Sequence, residues 1–233
     1  SILKQTKGID FTLYVSDNCS VDDTVEQIRL HFPQVIILEN EKNGGYGYGH
    51  NKVIDIVDSD YHFVINPDIL LERDTISELV DYMVANKDKN IGQVTPKILN
   101  MDGSEQFLPK RNPSLKYVVM SKFPGFKKYR RQYTRQDEDL GSREDATEIE
   151  LATGCFFGCP TRVLKELGGF DSRYYMYFED ADLSRRIINK GYKVTFYPLT
   201  YVKHDWHREN TKSLRGVKNF LHSMTKYIRV WRR

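Results

Sequence analysis

The chain has 233 residues, 39% apolar and 29% charged, with a net charge of +3. That length gives one large domain or two small ones with an ample core, and the composition is that of a soluble globular protein. So small a net charge excludes a polyanion binder of the nucleic-acid class, and no apolar run reaches the roughly 18 residues that a membrane-spanning helix needs.

Ser1 to Gln5 reads as the end of a helix, an abrupt start that suggests sequence upstream. Residues 11–16 predict a strand, and Asp17-Asn18-Cys19-Ser20 a turn. Ser20 with Asp23 forms an N-cap pair for a helix whose apolar side is Val25, Ile28 and Leu30. Val35 to Leu38 is a short apolar strand of the buried parallel kind. A Gly-rich stretch, Asn43 to Asn51, leads into a helix through Val53, Ile54 and Val57. Tyr61 to Ile65 is a strand closed by Asn66-Pro67-Asp68, residues 74–86 an amphipathic helix, and 91–99 a strand. The alternation implies βαβ units and a mostly parallel sheet, with ligands beyond the carboxyl ends of its strands, where Asp17 and Asp68 sit.

The second half is less regular. Residues 100–150 form a Pro-punctuated excursion. Nine Lys or Arg and no acid fall in 110–135, and seven acids in 137–150. This is either a solvated loop or a flap near anionic substrate or lipid head groups. Residues 151–159 read as a strand, 161–167 as a helix, and a further helix starts near Glu179. Strands follow near 193–197 and 200–203. In the last helix, 211–231, Leu214, Val217, Leu221, Met224, Ile228 and Trp231 recur at spacings of three and four among basic residues. That helix is either docked on the core or interfacial on an anionic membrane. Three cysteines without a framework, Cys19, Cys155 and Cys159, argue for a reducing compartment and for buried free thiols at 155 and 159.

Several elements carry chemistry. Asp17-Asn18 at a strand end suits a nucleobase or ribose, or a capping turn. The glycines at 44–49 let backbone approach phosphate, or merely make a tight strand–helix connection, since the loop is neither GxGxxG nor Walker A. Asn66-Pro67-Asp68 holds one carboxylate out of the sheet. One carboxylate plus substrate phosphates is a common Mg²⁺ or Mn²⁺ arrangement, and a strand-terminating turn is the alternative. In Phe178-Glu179-Asp180-Ala181-Asp182-Leu183, three carboxylates follow the aromatic run from Tyr174. Desolvation beside such rings raises carboxyl pKa values and suits a base that takes a proton from a hydroxyl; first-turn acids stabilising a helix are the plainer alternative. His204 and His207 flank Trp206 and suit a metal or a diphosphate.

In this order the pieces resemble the family 2 glycosyltransferases of the GT-A fold, above all the bacterial rhamnosyltransferase-like group. The resemblance rests on Ser1 to Thr6, Val15 to Thr24, Asn43 to Asn51, Asn66-Pro67-Asp68, Ala152-Thr153-Gly154, Leu167 to Asp171 and Phe178 to Leu183, and covers roughly residues 1–210. It implies an α/β, Rossmann-like GT-A sheet, mostly parallel and flanked by helices. The family's first strand, which ends in a Thr-Tyr-Asn-like turn, is not in this chain. A donor-binding half over 1–100, an acceptor-binding and catalytic half of the same domain over 101–210, and a basic amphipathic helix over 211–233 are expected.

By resemblance, Asp17 reads the nucleobase of the sugar donor, with Asn18, Gly45, Asn51 and Asn66 completing the nucleotide-sugar site. Asp68 stands where the family's DxD ends, and Asn66 replaces its first Asp, which leaves one carboxylate fewer for Mg²⁺ or Mn²⁺. His204 matches the family's late histidine near the diphosphate and is the second expected metal ligand. Asp180 is the expected general base, with Glu179 and Gly154 on the acceptor side. The resemblance further implies dTDP-rhamnose as donor, with UDP-hexoses next, and a saccharide or lipid-linked saccharide as acceptor. It implies cell-envelope polysaccharide synthesis in the cytoplasm, at the inner face of the plasma membrane. Two other classes compete. A nucleotidyltransferase needs an Arg/Lys-bearing Gly-rich loop after the first strand, a region not present here. A non-catalytic sugar-binding or scaffold module fits the absent strand and the weakened DxD.

Overall fold

The computed structural model describes residues 1–120, 124–206 and 213–232. A short helix α1 (Ile2–Gln5) precedes β1 (Tyr14–Asp17), α2 (Thr24–His31) and β2 (Ile36–Glu39), and β1 pairs with β2 in parallel from Tyr14 opposite Ile36 to Asp17 opposite Glu39. α2 starts later than the sequence predicts. Ser20 does not cap it; its N–H and hydroxyl turn back onto the Asp17 carboxylate at 3.1 and 2.5 Å, and the helix begins only after Asp23.

α3 (Tyr46–Ile54) begins inside the Gly-rich stretch, and β3 (Tyr61–Ile65) and β4 (Ile69–Leu70) flank Asn66-Pro67-Asp68. α4 (Thr75–Ala85) is capped by Asp74, whose side chain accepts from the Ser77 N–H at 3.2 Å. Then come β5 (Ile91–Leu99), α5 (Leu115–Met120), α6 (Lys127–Thr134), β6 (Thr147–Ile149), β7 (Phe156–Pro160), α7 (Thr161–Leu167), α8 (Glu179–Asn189), β8 (Lys193–His204) and α9 (Leu214–Val230).

The main sheet is mixed, not mostly parallel. Its order is β3-β7-β5-β8-β4 with β6 also on β8; β5 and β8 are parallel, and the other pairings antiparallel. The reason is topological. β7 arrives after the long excursion and inserts between β3 and β5 in the opposite sense, which strand–helix alternation in the first half cannot foretell. Two further boundaries differ. The strand expected over 151–159 begins only at Phe156, because Gly154 gives its N–H to Asp180 rather than to a ladder. The two strands expected near 193–203 are one, β8, whose register shifts past Pro198.

The alternation of β7, an interior strand, sets the two cores. Phe156 faces Ile76, Leu79 and Met83 of α4, whereas Phe157 faces Val163, Leu164, Leu183 and Ile187 of α7 and α8. Cys155 and Cys159 are buried free thiols, and Cys19 is exposed. The excursion neutralises much of its own charge: Arg111 and Arg135 pair with Glu138, Arg131 with Asp137, and Arg111 also with Glu150.

Candidate active site

Tyr177 (φ 72°) and Phe178 (φ 69°) both lie in the left-handed region directly before α8. Each such non-glycine residue costs on the order of 1–3 kcal/mol and persists only where packing over-determines it. The packing comes from α9. The Phe178 ring meets those of Phe220 and Tyr227 at 5.2 and 5.6 Å, and Ser223 Oγ donates to the Met176 carbonyl at 2.8 Å. The turn delivers Glu179 and Asp180 to the first turn of α8, where the helix dipole favours carboxylates.

The three carboxylates then separate by environment. Asp182 is structural: buried, it accepts from Arg186 Nε at 2.7 Å and from Trp231 Nε1 at 2.9 Å. Asp180 accepts from the Gly154 N–H at 2.9 Å through Oδ2 and from the Ala181 N–H at 2.8 Å through Oδ1. Glu179 is 6% exposed, and its Oε2 has no partner. Burial raises both pKa values, that of Glu179 to about 8 with the Asp180 charge as second cause. Two backbone donors favour the ionised form of Asp180, so the proton the pair retains sits on Glu179.

The short loop Thr153-Gly154-Cys155 joins this acidic end to the second cluster. Gly154 is clamped from both sides, its N–H by Asp180 and its carbonyl by Tyr46 Oη at 2.5 Å. One residue on, the Cys155 carbonyl accepts from the Asn66 N–H at 2.9 Å, and the Asn66-Pro67-Asp68 turn follows. The Asp180 and Asp68 charges both act on the buried Cys155 thiol, pushed up to about 11 chiefly by burial.

Asp68 Oδ1 and His204 Nε2 face each other at 3.3 Å without hydrogen-bond geometry, and each lacks any other partner. Gln106 explains why they do not simply share a proton. Its Nε2 donates to the His204 carbonyl at 2.8 Å, which turns its Oε1 toward His204 Nδ1 at 3.0 Å. Nδ1 therefore carries the hydrogen, and Nε2 presents a lone pair to a carboxylate oxygen. Burial lowers the His204 pKa against the pull of Asp68, which keeps the imidazole neutral. Two facing acceptors with nothing between them fit a cation, and imidazole plus carboxylate suits Mn²⁺ or a similar divalent ion. Among the described residues no group of three or more His, Cys, Asp and Glu could hold a metal, so remaining ligands would come from substrate or water. His207 lies outside the described residues. Asn66 Oδ1, on the same turn as Asp68, is also buried without a partner.

The residues expected around the nucleotide are more committed to the protein itself. Asn18 donates to the Gly45 carbonyl at 3.0 Å and accepts from Asn40 at 3.0 Å. Gly45 has φ 96°, and a Cβ there would meet the Tyr175 carbonyl oxygen at 2.0 Å, so this glycine serves close packing of α3 on the aromatic run. Asn51 spends both ends of its amide on the Phe170 backbone, at 2.8 Å each. Locally it clamps that turn, and one amide hydrogen and one lone pair remain uncommitted. Sequence reasoning missed Tyr46, Gln106 and the phenol of Tyr133, whose pKa is raised by burial and then by the Asp180 charge. Tyr46 at least stood inside a flagged loop; Gln106 gave no signal.

Against known proteins, the family described as Glycosyl transferase family 2 matches residues 1–168. The N-acetylglucosaminyl-diphospho-decaprenol L-rhamnosyltransferase of Mycobacterium tuberculosis is 27% identical over 213 residues, 83% of this chain and 66% of that protein. Rhamnosyltransferase WbbL of Escherichia coli is 24% identical over 197 residues, 80% of this chain and 70% of that one. This chain thus spans 66% and 70% of the lengths of these relatives. The crystal structure of GalNAc-T7 with UDP, GalNAc and Mn²⁺ matches with a TM-score of 0.69 at 17% identity, over 99% of this chain and 44% of that one. The mannosyltransferase PcManGT of Pyrobaculum calidifontis, in complex with GDP-Man and Mn²⁺, matches at 0.62 and 16%, over 94% and 55%. These structures share the α/β fold, a mixed sheet flanked by helices, and that is all such low identities speak for. The family match is of another order: covering residues 1–168 of 233, it means that the chain belongs to glycosyl transferase family 2.

Proposed function

We propose that the protein is an inverting glycosyltransferase that moves a sugar from a nucleoside-diphosphate donor to an acceptor hydroxyl. The observation that carries this reading is the Thr153-Gly154-Cys155 loop, which ties a poised carboxylate, Asp180, to a cation-shaped pair, Asp68 and His204. The acceptor oxygen forms its bond to the anomeric carbon as that carbon's bond to the diphosphate oxygen breaks, and the hydroxyl proton passes to Asp180. Gly154 and Ala181 hold the Asp180 carboxylate in place, and each of its oxygens keeps a lone pair for the hydroxyl. Neutral Glu179 presents an O–H to acceptor or sugar oxygens beside it. Tyr46, kept protonated by burial and by the two acids, holds the loop as a donor. A bound Mg²⁺ or Mn²⁺ would neutralise the leaving diphosphate, and Asp68 and His204 are the residues that would hold it.

Rhamnose from dTDP-rhamnose is the donor we favour, with UDP-hexoses next, and a lipid-linked saccharide of cell-envelope polysaccharide synthesis is the acceptor class. The names of the mycobacterial and Escherichia coli relatives support rhamnose, and the mycobacterial name supports a lipid-linked acceptor. Asp17 at the nucleobase, with Asn18, Gly45, Asn51 and Asn66 around it, completes the proposed donor side. Saturation-transfer NMR with dTDP-rhamnose, UDP-glucose, UDP-galactose and UDP-N-acetylglucosamine tests it. Binding of one donor, strengthened by Mn²⁺ and lost from Asp68→Ala in Mn²⁺, is expected. Binding of none by the intact protein, or donor titrations unchanged in Asp68→Ala, would count against it.

Gln106 offers a separate check on the metal pair. Gln106→Leu releases His204 from its tautomer and is expected to weaken Mn²⁺ binding by about 10- to 100-fold. The readout is the electron paramagnetic resonance signal of free Mn²⁺, taken on protein with an unaltered circular dichroism spectrum. Equal affinity in the variant would show that Gln106 does not set the site.

A further inference from the structure

The apolar stripe of the last helix divides in two. Phe220, Met224, Tyr227 and Trp231 pack into the cluster beneath Phe178. Leu214, Val217 and Leu221 do not; they are 92%, 43% and 50% exposed. At about 100° per residue, these three and Ile228 fall within an arc of roughly 60°, with the docked face on one side. On the other side, an arc of about 80° holds Arg215, Lys218, Lys226 and Arg229. No Asp or Glu occurs from 214 to 230.

A second element packs on the same cluster. Val118 of α5 belongs to the same cluster as Tyr227, and α5 exposes Leu115 and Val119 beside Lys116. Lys127 and Lys128 open α6, also exposed. The excursion's arginines 111, 131 and 135 are paired with acids, whereas Lys116 and Lys128 lie over the Tyr129 ring at 5.0 and 5.2 Å. Two helices that share one cluster therefore present apolar side chains edged by cations, and residues 110–135 contain no acid.

We propose that this face docks on the surface of an anionic phospholipid bilayer. Leu214, Val217, Leu221 and Leu115 enter the acyl boundary, and Arg215, Lys218, Arg229, Lys116, Lys127 and Lys128 meet the headgroups. Charge selects this occupant: a second copy of the same face would set cations against cations, whereas anionic lipid complements both features at once. No helix among the described residues is long and apolar enough to cross a membrane, so the helix lies on the bilayer. The Ser223–Met176 hydrogen bond and the Phe220–Phe178 contact tie the docked helix to the turn that delivers Glu179 and Asp180. Docking would thus hold the turn that carries Glu179 and Asp180 near the membrane. The proposal does not rest on the transferase reading, because vesicle binding is read without donor or acceptor.

The test is flotation of the whole protein with vesicles of phosphatidylglycerol and phosphatidylcholine, against vesicles of phosphatidylcholine alone. Binding to the anionic vesicles, weakened by added salt, is expected. The double variant Val217→Glu, Leu221→Glu should lose about tenfold or more of the partition coefficient. Arg215→Ala with Lys218→Ala should lose a similar amount on anionic vesicles. All four positions are exposed, so an unchanged melting temperature controls for folding. Binding to neither vesicle overturns the proposal, as does equal binding by the Glu variant. So does a dimer, seen by sedimentation, that the Glu variant dissociates.

Discussion

Asp180→Asn should lower kcat by about 10²- to 10⁴-fold, the usual contribution of a positioned base. Asparagine fills the same volume but takes no proton at neutral pH. It also satisfies only one of the two backbone donors, from Gly154 and Ala181, that the carboxylate accepts. The Gly154 side matters because that loop leads through Cys155 to Asn66, so the variant must be read on two axes. Retained donor affinity with collapsed turnover assigns Asp180 to proton transfer. A fall in donor affinity that matches the fall in turnover makes it a loop anchor instead. Wild-type turnover in Asp180→Asn would remove it from the mechanism altogether.

Whether such a role was visible in the sequence depends on how local its cause is. The bounds of β5 and α7 were legible to the residue, because β-branched and apolar runs end there at Asn100 and Gly168. The placement of Glu179-Asp180 at a helix start was legible too, because three acids in a first turn follow dipole physics within one segment. What needed the fold was everything set by residues far apart in sequence. That β7 runs against β3 and β5 depends on a strand arriving some ninety residues after β3. That Asp182 is structural while Asp180 is poised depends on Trp231 and Gly154. The glycines of the 44–49 loop looked equally suited to phosphate and to packing. At Gly45 it is Tyr175, about 130 residues on, that fills the space. Gln106 was invisible because a single glutamine in a charged loop has no pattern; only its two bonds to His204 reveal it.

Glu179→Gln should stabilise the protein at neutral and mildly alkaline pH while impairing acceptor use. Glu179 is 6% exposed, its Oε2 is unpartnered, and its pKa stands at about 8 against an ordinary 4.5. A raised folded-state pKa means that the folded chain holds the proton more tightly than the unfolded chain. The stability this group contributes is present in full below about pH 4.5 and is lost as pH rises toward 8, with a slope of at most about 1.4 kcal/mol per unit. Glutamine is uncharged throughout and keeps an N–H donor where the protonated acid had its O–H, so the slope should vanish. By pH 8 the variant should be ahead by about 4 kcal/mol, which for a chain of this size is a melting temperature higher by roughly 10 °C. Melting curves of both proteins across pH 5 to 8 decide it, converging at the acid end and diverging at the other. Parallel curves would mean that Glu179 is ionised in the fold, and the neutral donor assigned to it would have to be given up. Divergence with a raised acceptor KM would mean that the buried acid is a cost in stability retained for the site's chemistry.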